Sequence, residues 1–219
     1  MSTTLLSIVI VDDHAVVRRG VRALLESRQG WRVVGEGSTG RDAVDLVRRL
    51  RPHVVVMDLS LPELNGLEAT RQILEQAPQT EVLVLTMHHS EQLAQEVLQA
   101  GARGYVLKSD ADENLIAAVE SLREHKPFLT SKVTEFVLDG YVRRSNAADE
   151  GMPRDVVTPR EREVMQLLAE GNSNKQVAAT LGLSVKTVEA HRANIMRKLR
   201  FRSISDLVRY AIRNRIVQA

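Results

Sequence analysis

Short apolar runs recur along the first half of the chain, and segments with helical periodicity separate them. The runs are continuous rather than alternating, which is typical of strands buried on both faces of a parallel sheet. Strand and helix alternate five times, so the pattern predicts an α/β domain with a doubly wound sheet of five parallel strands. The five runs are Ile8–Val11, Val33–Gly35, Val54–Met57, Val82–Leu85 and Gly104–Leu107.

The last third of the chain shows helical periodicity only. A helical segment, Ser131–Arg144, is followed by a polar stretch without periodicity, which marks a linker from about Arg144 to Asp155. Four short helical segments follow, with no apolar strand-like run between them. We therefore predict an α/β domain at 1–126, a connecting helix and flexible linker at 127–155, and an all-α domain of four helices at 156–219.

Composition excludes some kinds of chemistry and indicates the cellular location. The chain has no cysteine, which excludes disulfides, thiolate metal sites and cysteine nucleophiles. The apolar run Leu5–Val11 is too short for a membrane span and lacks the basic flank of a signal peptide. We expect a cytoplasmic protein with no membrane partner.

Charge is divided unevenly along the chain. The segment Val156–Ala219 carries 12 basic and 5 acidic residues, a net charge of +7, whereas Met1–Asp155 carries −5. Small domains vary in charge by chance, but a basic module behind an acidic one favours two different partners. The sign of the second module predicts a polyanion as its partner.

Polar residues stand at the ends of the predicted strands. Asp12 and Asp13 follow the first strand, Asp58 ends the third, Thr86 ends the fourth, and Lys108 follows the fifth. A flavodoxin-like strand order brings these ends around one crevice. Three carboxylates at close quarters repel one another unless a cation lies among them, and their oxygens suit Mg²⁺.

This arrangement predicts phosphoryl chemistry. Asp58 would be the nucleophile that forms an acyl phosphate, while Mg²⁺ and Lys108 neutralise charge on the transferring group. The hydroxyl of Thr86 can donate a hydrogen bond to the anion. Taken singly, a strand-end aspartate is more often a cap or turn residue. All of these residues together, each at the carboxyl end of a strand, favour a phosphoryl site over this simpler explanation.

The basic tail has the pattern of a helix-turn-helix. Two short helices around a glycine turn would present the helix that follows to the major groove of double-stranded DNA. The helix starts and stops are marked by a capping box, Thr158 with Glu161, by Pro159 at the first helical position, and by Gly171, Asn174, Gly182 and Ser184.

The helix after Ser184 can be divided by periodicity. Val188, Ile195 and Leu199 fall on one side, with Val185 and Met196 near it. On the opposite side, alanines would let the backbone approach the bases, while acidic and amide side chains would read them and basic ones would contact phosphates. An ordinary amphipathic helix with a solvated face is the simpler alternative. The predicted DNA contacts are Asn174, Lys175, Lys186, Thr187, Glu189, Ala190, His191, Arg192, Ala193, Asn194, Arg197 and Lys198.

Four blocks in the first domain carry a family resemblance. "IVIVDDH", "VVVMDLSLPELNG", "VLVLTMH" and "GYVLKS" resemble the signature blocks of two-component response-regulator receiver domains, over about Leu6–His125. The resemblance implies phosphorylation of Asp58 by a partner sensor histidine kinase. It implies a Mg²⁺ site formed by Asp12, Asp13, Asp58 and the Ser60 backbone carbonyl, phosphoryl contacts from Thr86 and Lys108, and a conformational switch formed by Thr86 and Tyr105. Ser109 stands where many receivers have a proline with a cis peptide bond.

The tail resembles the four-helix DNA-binding domain of the LuxR type, over about Val157–Ile216. In that type the last helix, here Ser205–Ile216, commonly supplies a dimer contact. A receiver joined to this domain resembles the NarL/FixJ class of response regulators. The resemblance implies a transcriptional regulator rather than an enzyme, which dimerises on phosphorylation and binds paired promoter half-sites.

Three other functions share some of these sequence features. A quorum-sensing receptor shares the tail, but only 3% of the chain is aromatic, too little for an apolar lactone pocket. An aspartyl-phosphate hydrolase would carry a second acid two residues after Asp58, where this chain has Ser60. An orphan regulator that binds DNA without phosphorylation would be expected to have lost one of the acids or the lysine, and none is lost.

Overall fold

The computed structural model describes residues 5–87, 91–130, 133–134, 157–214 and 216–217. The chain divides into two compact units, an α/β unit and a helical unit. The fold class predicted from the sequence is confirmed, with one correction to the number of strands. The predicted linker Arg144–Asp155 and nearly all of the predicted connecting helix Ser131–Arg144 lie outside the described residues.

The α/β unit alternates strand and helix as the sequence predicts. Its strands are β1 (Leu6–Val11), β2 (Trp31–Gly37), β3 (Val54–Met57), β4 (Glu81–Thr86), β5 (Gly104–Leu107) and β6 (Phe128–Leu129). Its helices are α1 (Ala15–Glu26), α2 (Gly40–Leu50), α3 (Gly66–Gln76), α4 (Glu91–Gln99) and α5 (Ala111–Arg123), with a 3₁₀ turn at Lys108–Asp110.

The sheet has six parallel strands in the order β2-β1-β3-β4-β5-β6, so the predicted number of five is wrong. The sixth strand pairs with β5 through Gly104 opposite Phe128 and Tyr105 opposite Leu129. The backbone N–H of Phe128 also donates to the carbonyl of Arg103. A strand of two residues is too short to show any periodicity, and only main-chain pairing defines it.

The central strands form the core of this unit. Every residue of β3, β4 and β5 is buried, which explains why the sequence shows apolar runs instead of alternation. Side chains of α1 and α5 cover one face through residues such as Leu25, Leu115 and Leu122, each 0% exposed. This packing fixes the strand ends, and therefore the polar residues that follow them.

The helical unit contains α6 (Pro159–Ala169), α7 (Asn174–Leu181), α8 (Val185–Lys198) and α9 (Ile204–Arg213). Each begins at a side-chain N-cap, which is Thr158, Ser173, Ser184 and Ser203 respectively. Gly182 ends α7 in the left-handed conformation, with φ at 65°, and so makes the turn into α8. The last helix begins one residue before the predicted Ser205–Ile216, at the capping box of Ser203 and Asp206, and it is shorter because it ends three residues earlier, where Asn214 caps it.

Two further observations concern the whole described chain. Among the described residues no peptide bond is cis, so the bond between Lys108 and Ser109 is trans. Of the helices described, none combines the length and the apolar composition that crossing a membrane requires.

Candidate phosphoacceptor site and DNA-binding surface

Two neighbouring strands bring buried acids together. β1 pairs with β3 so that Val11 lies opposite Met57, and the next residues, Asp12 and Asp58, therefore lie side by side. Both are only 3% exposed, whereas Asp13 is exposed. The backbone N–H of Asp58 donates to the carbonyl of Val11 at 2.9 Å, which fixes the end of β3 against β1.

His14 joins the three aspartates. One carboxylate oxygen from each aspartate and a ring nitrogen of His14 lie within 4.8 Å of one another. His14 Nδ1 lies 2.6 Å from Asp13 Oδ1, and its backbone N–H donates to Asp12 Oδ1 at 2.8 Å. The sequence prediction missed this residue, although its place directly after the acid pair was a signal.

Lys108 links the two buried acids. It follows β5 directly, and its Nζ lies 2.6 Å from Asp12 Oδ2 and 2.8 Å from Asp58 Oδ2. Burial lowers the pKa of Lys108, but the hydrogen bonds to the two carboxylates outweigh burial and raise the pKa above its ordinary value. The side chain therefore holds a positive charge beside Asp58.

Asp58 is hydrogen-bonded on both oxygens. Its Oδ1 accepts from the backbone N–H of Leu59 at 2.7 Å and its Oδ2 accepts from Lys108. Burial raises the pKa of Asp58, and the charge of Asp12 adds to this rise. Lys108 and the backbone N–H of Ser60 lower the pKa, but the net direction is upward. The carboxylate is thus held in a site that disfavours its charge, a condition common at functional sites.

The donors of this cluster fit a hard divalent cation. Mg²⁺ prefers carboxylate and carbonyl oxygens, and Asp12, Asp13 and Asp58 supply carboxylates within a few ångströms. Ser60 follows Asp58 closely in the chain and is the predicted carbonyl donor. The residues present therefore suit Mg²⁺ by chemistry and by spacing.

The two predicted switch residues lie on the neighbouring strands. Thr86 ends β4, pairs with Leu107 of β5, and is 0% exposed. Tyr105 lies in β5 and is 1% exposed, so its ring is buried in this structure. Their positions are consistent with the predicted switch, which stays a prediction.

We expect Lys108→Met to lower the free energy of unfolding by about 3 kcal/mol at neutral pH, because it leaves buried carboxylates without their counter-charge. The loss should shrink at acid pH. The pKa of Asp58 is higher in the folded chain than in the unfolded chain. The ionised carboxylate therefore lowers the free energy of unfolding fully at pH values above the folded pKa, and this destabilisation disappears at pH values below the unfolded pKa. Urea unfolding at several pH values, followed by the fluorescence of Trp31, measures this. A loss independent of pH would contradict the assignment.

The predicted DNA-binding face of α8 is partly exposed. Val188 and Ile195 are 0% exposed, and they fix which side of the helix faces the core. Lys186, Glu189, Ala190, Ala193 and Arg197 are exposed, whereas Thr187, His191, Arg192, Asn194 and Lys198 are half-buried. At the start of α7, Asn174 is half-buried and Lys175 is exposed.

Some of the predicted contacts already have partners within the unit. Lys198 Nζ lies 2.7 Å from Glu161 Oε2. Burial raises the pKa of Glu161, but the hydrogen bonds from Lys198 and from the Thr158 N–H outweigh burial, so the pKa of Glu161 is lowered. Lys198 thereby ties α8 to the capping box of α6. Arg197 donates to Asn194 Oδ1 at 3.1 Å. These pairings assign Lys198 a structural role besides its predicted phosphate contact.

Val185 departs from the predicted pattern. Periodicity placed it near the buried side of α8, but it is 41% exposed. It is the first residue of α8, where the chain has only just left the turn and the core does not yet cover it. One helical turn separates it from Glu189, so the two lie near one another on the surface.

Fold and site together define a class. A parallel sheet that gathers three aspartates and a lysine at one edge, followed by a helix-turn-helix with an exposed helix, is the arrangement of a DNA-binding response regulator. Residues 8–120 match the response regulator receiver domain, and residues 155–211 match the luxR family of bacterial regulatory proteins. The chain belongs to the response regulators of the NarL/FixJ class.

Similar proteins agree with this membership. The oxygen regulatory protein NreC of Staphylococcus epidermidis is 38% identical over 217 residues, which cover 97% of this chain and all of that protein. A structure of RcsB from Salmonella enterica serovar Typhimurium bound to promoter rprA with the phosphomimetic BeF3⁻ is 28% identical, with a TM-score of 0.58. It covers 94% of this chain and 97% of its own. A structure of two RcsB dimers on two parallel DNAs has a TM-score of 0.57 at 28% identity, covering 94% and 96%.

Proposed function

We propose that a sensor histidine kinase phosphorylates Asp58 of this DNA-binding regulator in the cytoplasm, with Mg²⁺ bound at the acidic cluster. The observation that carries the proposal is Lys108, whose ammonium lies within 2.8 Å of carboxylate oxygens of both Asp12 and Asp58. A buried aspartate beside a half-buried lysine and two further acids has the charges that phosphoryl transfer to a carboxylate needs. The chain acts as a regulator and not as an enzyme with an external substrate.

The proposed transfer forms one bond and breaks one. A carboxylate oxygen of Asp58 attacks phosphorus, and the bond between phosphorus and the ring nitrogen of the kinase histidine breaks, with its electron pair staying on that nitrogen. Asp12, Asp13, Asp58 and the Ser60 carbonyl would hold Mg²⁺, which would supply positive charge near the phosphoryl oxygens. Lys108 supplies a second positive charge, and the Thr86 hydroxyl donates a hydrogen bond to the transferred group. The product is an acyl phosphate on Asp58.

Phosphorylation then shifts a conformational equilibrium. A phosphoryl group that is contacted by Thr86 in one conformation favours that conformation, and Tyr105 changes its packing with it. The favoured state forms a homodimer, whose two recognition helices bind paired half-sites. The RcsB structures, one bound to a promoter with a phosphomimetic and one containing dimers on DNA, support this proposal by similarity.

The proposal is tested on the full chain with and without BeF3⁻ and Mg²⁺. Sedimentation velocity should show conversion from monomer to dimer, and DNA binding at fixed salt should tighten by about tenfold or more, within the range of allosteric coupling. The alternative is an orphan regulator that binds DNA without phosphorylation. An unchanged sedimenting mass and an unchanged DNA affinity with and without BeF3⁻ and Mg²⁺ would favour that alternative.

Base reading and phosphate contact are separable on α8. We expect Lys186→Ala to weaken binding to all DNA sequences alike and to reduce the salt slope of log K by about one. Glu189→Ala should instead change the preference at a single base pair, because Glu189 is predicted to accept from a cytosine amino group. Binding to a library of single-base variants at three salt concentrations measures both. A Glu189 variant with an unchanged preference would exclude this residue as a reader.

A further inference from the structure

An arginine outside the acidic cluster holds the backbone of Asp12. The Nη1 of Arg18, one turn into α1, donates to the main-chain carbonyl of Asp12 at 2.6 Å. The backbone N–H of Asp12 donates to the carbonyl of Gly37 in β2 at 3.2 Å. The carbonyl of Asp12 is therefore hydrogen-bonded to α1 and its N–H to β2. These two bonds hold Asp12 in place at the end of β1.

Arg18 is itself held in place. Its side chain is 19% exposed, and its Nε lies 3.6 Å from Glu36 Oε2. Glu36 also accepts from Arg22 Nη1 at 2.7 Å, so one glutamate of β2 binds two arginines of α1. Because the guanidinium is a rigid planar fork, this anchoring fixes the direction of the group that reaches Asp12.

We propose that Arg18 is a positioning residue for the cation site, and that its hydrogen bond to the Asp12 carbonyl sets the placement of the Asp12 carboxylate. This inference rests on the proposed Mg²⁺ site. Groups that orient metal ligands without touching the metal change metal affinity when they are removed. Arg18 bonds the main chain of a predicted ligand and lies beside the site without belonging to its donors.

The chain offers a matched control in Arg22. It is on the same helix, one turn away, and binds the same Glu36, but its hydrogen bonds go to Glu36 and Glu26 and none goes to Asp12. Arg18→Met and Arg22→Met therefore each remove one of the two arginines that bind Glu36. Only the first removes the bond to Asp12.

The test is Mg²⁺ titration of the full chain by calorimetry, together with the Mg²⁺ dependence of phosphorylation by acetyl phosphate. We expect Arg18→Met to weaken Mg²⁺ binding about tenfold, with the phosphorylation rate recovering at saturating Mg²⁺. Arg22→Met should change the affinity less than about twofold, within the effect of an exposed ion pair. Arg18→Lys, which keeps a donor for the carbonyl but lacks the planar fork, should restore only part of the affinity.

The outcomes separate the inference from the proposed function. Equal effects of Arg18→Met and Arg22→Met, or an unchanged affinity in Arg18→Met, would overturn the role of Arg18 while leaving the Mg²⁺ site intact. A wild-type chain that binds no Mg²⁺ would overturn both. Unfolding followed by Trp31 fluorescence verifies that both variants fold, and a lost affinity in a folded Arg18→Met supports the inference.

A separate observation concerns the DNA-binding unit. Val185 is an apolar side chain that is 41% exposed at the first position of α8, one turn before Glu189. In a helix-turn-helix, the N-terminal residues of the recognition helix contact base edges. The thymine methyl is the apolar group that the major groove presents. We infer that Val185 contacts a thymine methyl and contributes to sequence specificity, an inference that rests on DNA binding through α8.

Deoxyuridine, which lacks only that methyl, gives a direct test. A site is first selected by the wild-type chain from random duplexes, and each thymine is then replaced singly by deoxyuridine. We expect one position in each half-site to weaken wild-type binding about fourfold, the effect of one buried methyl. The Val185→Ala variant should be insensitive at that position, and Glu189→Ala should keep the sensitivity.

Two results would overturn the role of Val185 without touching the proposed function. One is a wild-type affinity that no deoxyuridine changes, and the other is an undiminished methyl effect in Val185→Ala. A wild-type chain that selects no sequence would instead remove sequence-specific DNA recognition and this inference together.

Discussion

Asp58→Asn abolishes formation of the acyl phosphate. After incubation with acetyl phosphate and Mg²⁺, the wild-type chain gains about 80 Da by intact-protein mass spectrometry, and the variant gains nothing. The amide is not a nucleophile, and it cannot form the acyl phosphate that a carboxylate forms. The expected effect is complete, because Asp58 is the proposed nucleophile, with its carboxylate at the end of β3 and 2.8 Å from Lys108 Nζ.

The same variant should also be more stable without Mg²⁺. Burial and Asp12 raise the pKa of Asp58, so replacing its charge by a neutral side chain of the same shape removes a cost of about 1 kcal/mol. Asp13→Asn is the matched control, since Asp13 is exposed and is a predicted Mg²⁺ ligand only. It should keep the ability to gain the phosphoryl group at high Mg²⁺. An undiminished mass gain in Asp58→Asn would place the nucleophile elsewhere.

Gly66→Ala has the second largest expected effect. A Cβ at Gly66 would lie 1.9 Å from the carbonyl oxygen of Asp58 and 2.9 Å from the Cα of Leu59. Both neighbours are main-chain atoms of the loop that carries the phosphoacceptor, so no side chain can move aside to make room. The backbone N–H of Gly66 also donates to the Leu59 carbonyl at 3.0 Å. The substitution must shift Asp58 or unfold the loop.

We expect Gly66→Ala to lower the free energy of unfolding by roughly 3 kcal/mol or more, and to slow phosphorylation at any Mg²⁺ concentration. Gly20→Ala is the control, because Gly20 lies within α1 and an added Cβ there has nothing within 4 Å. It should stabilise the unit by about 0.5–1 kcal/mol through helix propensity. The single tryptophan, Trp31, lies in β2 and reports unfolding of this unit alone. Equal stability of the two variants would contradict the close approach at Gly66.

The amino-acid sequence determined the fold class and the residues of the cluster. Continuous apolar runs that alternate with helical segments are typical of strands covered on both faces, and parallel strands place their carboxyl ends at one edge. Asp12, Asp13, Asp58 and Lys108 were therefore predictable as neighbours. The starts of α6 and α8 were predictable as well, because Thr158 and Ser184 act through bonds to residues three positions away.

Only the tertiary structure decided contacts between residues distant in sequence. The bond from Arg18 to the Asp12 carbonyl, the pairing of Lys198 with Glu161, and the approach of Gly66 to Asp58 depend on how elements pack, and periodicity carries no information about packing partners. The same holds for the two-residue β6 and the exposure of Val185. Hydrophobic pattern specifies which side of an element is buried, whereas the main-chain path specifies which polar atoms meet.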